Sequence, residues 1–129
     1  MMQFSFDLIS DLHVETWSDR FDFRGQSTSS LCVVAGDVTR NIDVLSEVLS
    51  NLAESYRAVV YVDGNDEHRF FLSDIHGRYS AIQELVSPIE NVIYLRDKVA
   101  VIDGIAFVGC NGWWTYDFDN LESYDPSKN

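Results

Sequence analysis

Three short stretches of this sequence combine cation-binding side chains with tight turns. They are Asp11-Leu12-His13, Gly36-Asp37 and Gly64-Asn65-Asp66-Glu67-His68. Asp and Asn offer hard oxygens and His an imidazole nitrogen, a donor set suited to manganese, iron, zinc or related ions. Asp11 and His13 stand two apart, and on an extended chain such side chains point to one side. Placed where a strand ends, they can grip one cation together. Gly36 and Gly64 let the backbone turn sharply and come close to a bound ion. The two cysteines, Cys32 and Cys110, both lie in apolar runs. They read as reduced core residues, and without a cysteine pair a structural zinc site is disfavoured.

The elements that must position these residues follow from hydrophobic patterning. A first strand is expected over about Gln3 to Ile9, running directly into Asp11. Residues Glu15 to Ser30 are polar and without period, a loop in which Trp17, Phe21 and Phe23 serve as packing anchors or line a cleft. Leu31-Cys32-Val33-Val34-Ala35 is continuously apolar, as a strand covered on both faces should be. After Asp37, Thr39 or Asn41 offers an N-cap, and Ile42, Leu45, Val48, Leu49, Leu52, Ala53 and Tyr56 follow at helical spacing. Ala58 to Val62 is the third strand, ending at Asp63-Gly64. A second helix is expected from about Ser73 to Val86, with Ile75, Tyr79, Ile82 and Val86 on its apolar face and Pro88 beyond its end. Asn91 to Leu95 is a further strand. Val99 to Ile102 and Ile105 to Gly109 form a β-hairpin on an Asp103-Gly104 turn.

Alternating strands and helices predict an α/β domain of βαβ units followed by a hairpin. Sites in open α/β sheets form beyond the carboxyl ends of strands, which is where the three cation-binding stretches fall. The chain has 129 residues, 46% hydrophobic and 23% charged, which fits one globular domain. The formal net charge of −12 argues against general attraction to nucleic acid or anionic membrane. No apolar run is long enough to span a bilayer. No secretory signal is visible at Met1-Met2-Gln3, so the cytoplasm is the expected compartment.

In order and context, the motifs Asp11-Leu12-His13, Gly36-Asp37 and Gly64-Asn65 resemble those of the calcineurin-like metallophosphoesterases: D-x-H, then G-D, then G-N-H with an acid after it. The resemblance runs from about Phe4 to Trp114 and takes in Val108-Gly109-Cys110-Asn111-Gly112-Trp113. It implies the N-terminal part of a layered αββα sandwich and a site for two divalent cations. Manganese is the first expectation, with iron, zinc, nickel or cobalt as alternatives. Asp11 and His13 would hold the first metal, Asp37 would bridge both, and Asn65 would hold the second. Such a pair can share a hydroxide and clamp a phosphoryl group during in-line displacement. The expected function is therefore hydrolysis of a phosphoester, by a phosphatase or a phosphodiesterase.

The sequence departs from the family pattern twice. The position after Asn65 holds Asp66 where the family has a His, and a His comes only at His68. Either residue could assist the leaving group. His68 is preferred, because an ordinary carboxyl is ionised at neutral pH and donates a proton poorly. Second, only His13, His68 and His76 are present, and no G-H-x-H follows Trp114. The expectation is that residues 1–129 are one domain, incomplete at its C-terminus and possessing only part of its ligand set. Each residue also has a plainer reading. Asp37 could cap the following helix, Asn65 could serve a turn, and His68 could be a surface histidine. Asp74-Ile75-His76 also spells D-x-H, but no G-D or G-N follows it, and it is better read as the first turn of the second helix. The rival class is a non-catalytic interaction module that keeps the fold and a partial metal site. A nucleotide-binding protein is disfavoured by the lack of a glycine-rich phosphate loop.

Overall fold

The structure, a computed structural model, describes residues 3–69 and 75–112. Four strands, β1 (Asp7–Ile9), β2 (Leu31–Ala35), β3 (Ala58–Val62) and β4 (Val92–Tyr94), form one parallel sheet in sequence order. Helix α1 (Ile42–Ala53) connects β2 to β3, and α2 (Ile75–Val86) lies between β3 and β4. Strands β5 (Lys98–Ile102) and β6 (Ile105–Gly109) pair antiparallel as a separate hairpin. The chain is thus the mixed α/β fold expected, βαβ units followed by a hairpin. No helix among the described residues is long and apolar enough to cross a membrane.

Strand alternation divides the apolar residues between two faces. Cys32 and Val34, Val59 and Tyr61, and Val92 and Tyr94 join Leu45, Val48, Leu49 and Leu52 of α1 and Tyr79, Ile82 and Val86 of α2 in one core. Leu31, Val60 and Leu95, with Val33, Ala58 and Ile93, point the other way and meet Ala100, Ile102 and Phe107 of the hairpin. Two crossovers advance in one direction, and both helices pack in the same core on one side of the sheet, as the usual right-handed connection between parallel strands requires. The order of layers is helices, sheet, hairpin.

Local signals explain the element ends. Asn41, and not Thr39, caps α1, its side-chain oxygen accepting the N–H of Asp43. Thr39 is buried, and its hydroxyl accepts the N–H of Asn41. Asp103 and Gly104 both have positive φ, 53° and 78°, as a two-residue turn matching strand twist requires. The loop after β1 contains a short 3-10 turn, Val14–Thr16. The anchors Phe21 and Phe23 pack against the helix-side core. Trp17 rests on Phe23 and donates its indole N–H to Leu12 O at 2.8 Å.

Three expectations are corrected. Strand β1 begins at Asp7 rather than Gln3. Phe4 and Phe6 instead meet Phe107 of the hairpin, with ring centroids 5.9 and 6.2 Å away. Strand β4 is shorter than Asn91–Leu95, although Asn91 O and Leu95 N–H still bond to β3 at 2.9 and 2.8 Å. Cys32 is buried, and its thiol is pushed up to about 12 by burial, but Cys110 is exposed. Gly109 already faces Lys98, the first residue of β5, so among the described residues no strand lies opposite Cys110. The expected start of α2 at Ser73, the acid Asp74 of the second D-x-H and the pair Trp113-Trp114 lie outside the described residues.

Candidate metal centre

Because β1, β2 and β3 are parallel neighbours, their carboxyl ends open on the same edge. Pairing continues past the strands as loop-to-loop hydrogen bonds. Asp11 N–H donates to Gly36 O at 3.1 Å, His13 N–H to Asp37 O at 3.2 Å and Val14 N–H to Val38 O at 3.1 Å. This ladder holds the Asp11–His13 segment against Gly36-Asp37. Asp11, His13 and Asp37 all adopt left-handed backbone, with φ of 55°, 45° and 54°. That conformation is uncommon for residues with a side chain and clusters at functional sites.

The two glycines are required by contact. A Cβ on Gly36 would stand 2.8 Å from the Gly64 backbone, and one on Gly64 would stand 2.1 Å from Asp37 Oδ1. Glu67 fastens the same two turns. It is fully buried, and its carboxylate accepts the N–H groups of Val38 at 2.7 Å, Gly64 at 2.9 Å and Asp37 at 3.2 Å. Burial raises its pKa, partly offset by those backbone donors.

Within this frame, ligand atoms of Asp11, His13 and Asp37 lie within 4.8 Å of one another. His13 Nε2 is 3.9 Å from Asp11 Oδ1, and the Asp11 side chain is 65% exposed. Asp37 Oδ1 also accepts Asp66 N–H at 3.0 Å. Two carboxylates and an imidazole at this spacing, open to solvent, fit one divalent transition-metal ion. A second acidic group, His13, Glu15 and Asp66, adjoins the first on the other side of the His13 ring. Arg40 reaches into it, its Nε 3.2 Å from Asp66 Oδ2 and 3.6 Å from Glu15 Oε1.

The remaining predicted site residues are placed differently. Asn65 is exposed at the start of a 3-10 turn, Asp66–His68, with its Nδ2 3.4 Å from Asp66 Oδ1. Asp66 is buried, its Oδ2 3.0 Å from His13 Nδ1 and its Oδ1 3.5 Å from Arg69 Nη1. His68 belongs to neither acidic cluster. Its ring is 9% exposed, lies edge-on to Tyr79, and places Nε2 2.5 Å from Asp63 Oδ2. Asp63 is buried and also accepts from Tyr94 Oη at 2.6 Å and Asn111 Nδ2 at 3.0 Å. Burial pushes the Asp63 carboxyl up, but bonds from His68, Tyr94 and Asn111 and the His68 charge bring it below its ordinary value. The other D-x-H histidine, His76, has its Nδ1 3.1 Å from Arg96 Nη2. Sequence reasoning gave no part to Arg40, Asp63 or Glu67. Only Glu67 had a signal, as the acid that closes the Gly64-Asn65 motif.

No family model and no curated protein match the chain. Among solved structures it is similar to a phosphopantetheinyl hydrolase (PptH) from Mycobacterium tuberculosis, with a TM-score of 0.61 at 19% identity. The match covers 95% of this chain and 48% of that one, so the chain spans about half the length of the structure it resembles. At this identity the likeness is one of fold.

Proposed function

We propose that this chain contributes the metal-binding half of a metal-dependent phosphoesterase of the calcineurin-like kind, with residues 1–129 forming one domain that further sequence completes. The observation that carries the reading is the meeting of Asp11, His13 and Asp37 at the ends of adjacent parallel strands, with ligand atoms within 4.8 Å. The similar solved structure, a phosphopantetheinyl hydrolase, favours hydrolysis as the reaction. Asp11, His13 and Asp37 hold the first divalent cation, and Asp37 and Asn65 border the place of a second. Manganese is the first metal to assay. A bound divalent cation supplies Lewis-acid polarisation of the phosphoryl group and lowers the pKa of a bound water.

The chain's own residues do the positioning. Glu67 fixes the two glycine turns, and Asp66 N–H occupies one lone pair of Asp37 Oδ1. His68 is paired with the buried Asp63, and the buried Asp66 with His13 and Arg40, so either proton-transfer role requires breaking an existing ion pair. Those pairings favour the second reading, a non-catalytic module that binds metal. The test is hydrolysis of an aryl phosphate, an aryl phosphodiester and a phosphopantetheinyl-bearing carrier by full-length protein with manganese. Asp37→Asn should abolish turnover. Turnover unchanged in that variant sinks the mechanism, and manganese binding without turnover by the native protein selects the non-catalytic reading.

A further inference from the structure

The two nitrogens of the His13 ring face different groups. Nε2 is the one turned to Asp11, at 3.9 Å, in the open cluster with Asp37. Nδ1 faces carboxylates on the other side: Asp66 Oδ2 at 3.0 Å and Glu15 Oε1 at 3.9 Å. A neutral imidazole has one N–H donor and one lone pair, and carboxylates can only accept. Carboxylates thus face both nitrogens, but Asp66 Oδ2 at 3.0 Å is much the nearest, so attraction favours the proton on Nδ1 and leaves the lone pair on Nε2.

Asp66 is built for this contact. Its side chain is 4% exposed, and Arg40 Nε, 3.2 Å from the same Oδ2, and Arg69 Nη1, 3.5 Å from Oδ1, hold the carboxylate in place. Its own N–H donates to Asp37 Oδ1 at 3.0 Å. One residue thus touches two of the three clustered side chains, through its carboxylate and through its backbone. We propose that Asp66 is a positioning residue that fixes His13 as the Nδ1–H tautomer and aims the Nε2 lone pair into the Asp11–Asp37 cluster. This rests on the cluster being a cation site, since a carboxylate on the far nitrogen of a metal-ligating histidine sets its tautomer and raises its basicity.

The test is nitrogen-15 long-range correlation NMR of the histidine rings in metal-free, full-length protein at alkaline pH, where imidazoles are neutral. Native protein should show His13 with a protonated Nδ1 and a lone-pair-type Nε2. Asp66→Ala should move His13 toward the Nε2–H form that free histidine favours in water, and Asp66→Asn, which keeps an acceptor oxygen, should largely restore the native pattern. Unchanged His68 and His76 signals report that the variants are folded. Zinc titration followed on Nε2 should show affinity about 10- to 100-fold weaker in Asp66→Ala. A native Nε2–H tautomer, or one indifferent to Asp66→Ala, overturns the proposal even if zinc binds. Failure of zinc to shift Nε2 in native protein, with the tautomer as expected, instead overturns the cation-site reading on which the proposal rests.

Discussion

Asp7 shows how one carboxylate ties distant chain together. It accepts the N–H of Thr28 at 2.8 Å and the hydroxyl of Tyr56 at 2.7 Å, and also the Thr28 hydroxyl. The Thr28 side-chain bond first, then the Thr28 N–H and Tyr56, hold its carboxyl down to about 2 from an ordinary 3.8. A depressed folded-state pKa means that the contribution to stability is complete above the unfolded value and disappears as pH falls through the folded one. Asp7→Asn should therefore be less stable than native protein at neutral pH, and the gap should close between about pH 4 and about pH 2. Urea denaturation of both proteins across that range checks it; a gap that persists at the acid end refutes the assignment. None of these partners could be read from the sequence, because Thr28 and Tyr56 lie 21 and 49 residues away. The same holds for Glu67, whose contacts with Asp37 and Val38 span 30 and 29 residues. What could be read was that Asp11, His13 and Asp37 come together, since the stretches that hold them follow closely on apolar runs that parallel pairing brings side by side.

At the scale of elements, the turns after β2 and β3 are one unit, and their glycines differ from the hairpin's. Gly64 has no room for a Cβ, whereas Gly104 has φ +78° with nothing within 4 Å. Gly104→Ala should cost about 1–2 kcal/mol, the left-handed backbone penalty alone. Gly64→Ala should cost more than that and also weaken manganese binding, since the carboxylate of Asp37 must move. Thermal denaturation and calorimetric titration of the two variants separate the effects; equal costs would show that the close approach of the turns is not maintained. The hairpin was legible because Asp103-Gly104 alone dictates the turn, and α1 because its apolar residues recur at helical spacing over 12 residues. The extent of β1 was not, because Phe4 and Phe6 have strand-like composition but find partners in Phe107.

Across the whole molecule, the layers are unevenly covered. The hairpin sends Ala100, Ile102 and Phe107 to the sheet, while Val99, Val101 and Val108 stand outward, Val108 76% exposed. Val99 and Val108 are cross-strand partners, and Leu8 of β1 is a further exposed apolar residue, at the sheet edge. The apolar face made by Val99, Val101 and Val108 invites association. We expect the chain to bind a hydrophobic dye through this face, and Val101→Lys with Val108→Lys to remove most of that signal at unchanged melting temperature. Dye binding that survives the double substitution would locate the exposed apolar surface elsewhere. Stability also has a cost at the other end of the sheet, where Asp11, His13 and Asp37 hold left-handed backbone that glycine adopts freely. In a library selected only for thermal resistance, glycine should be enriched at these three positions. Heat tolerance and cation binding would then part company within a few rounds, and variants chosen for robustness would be the first to lose the site.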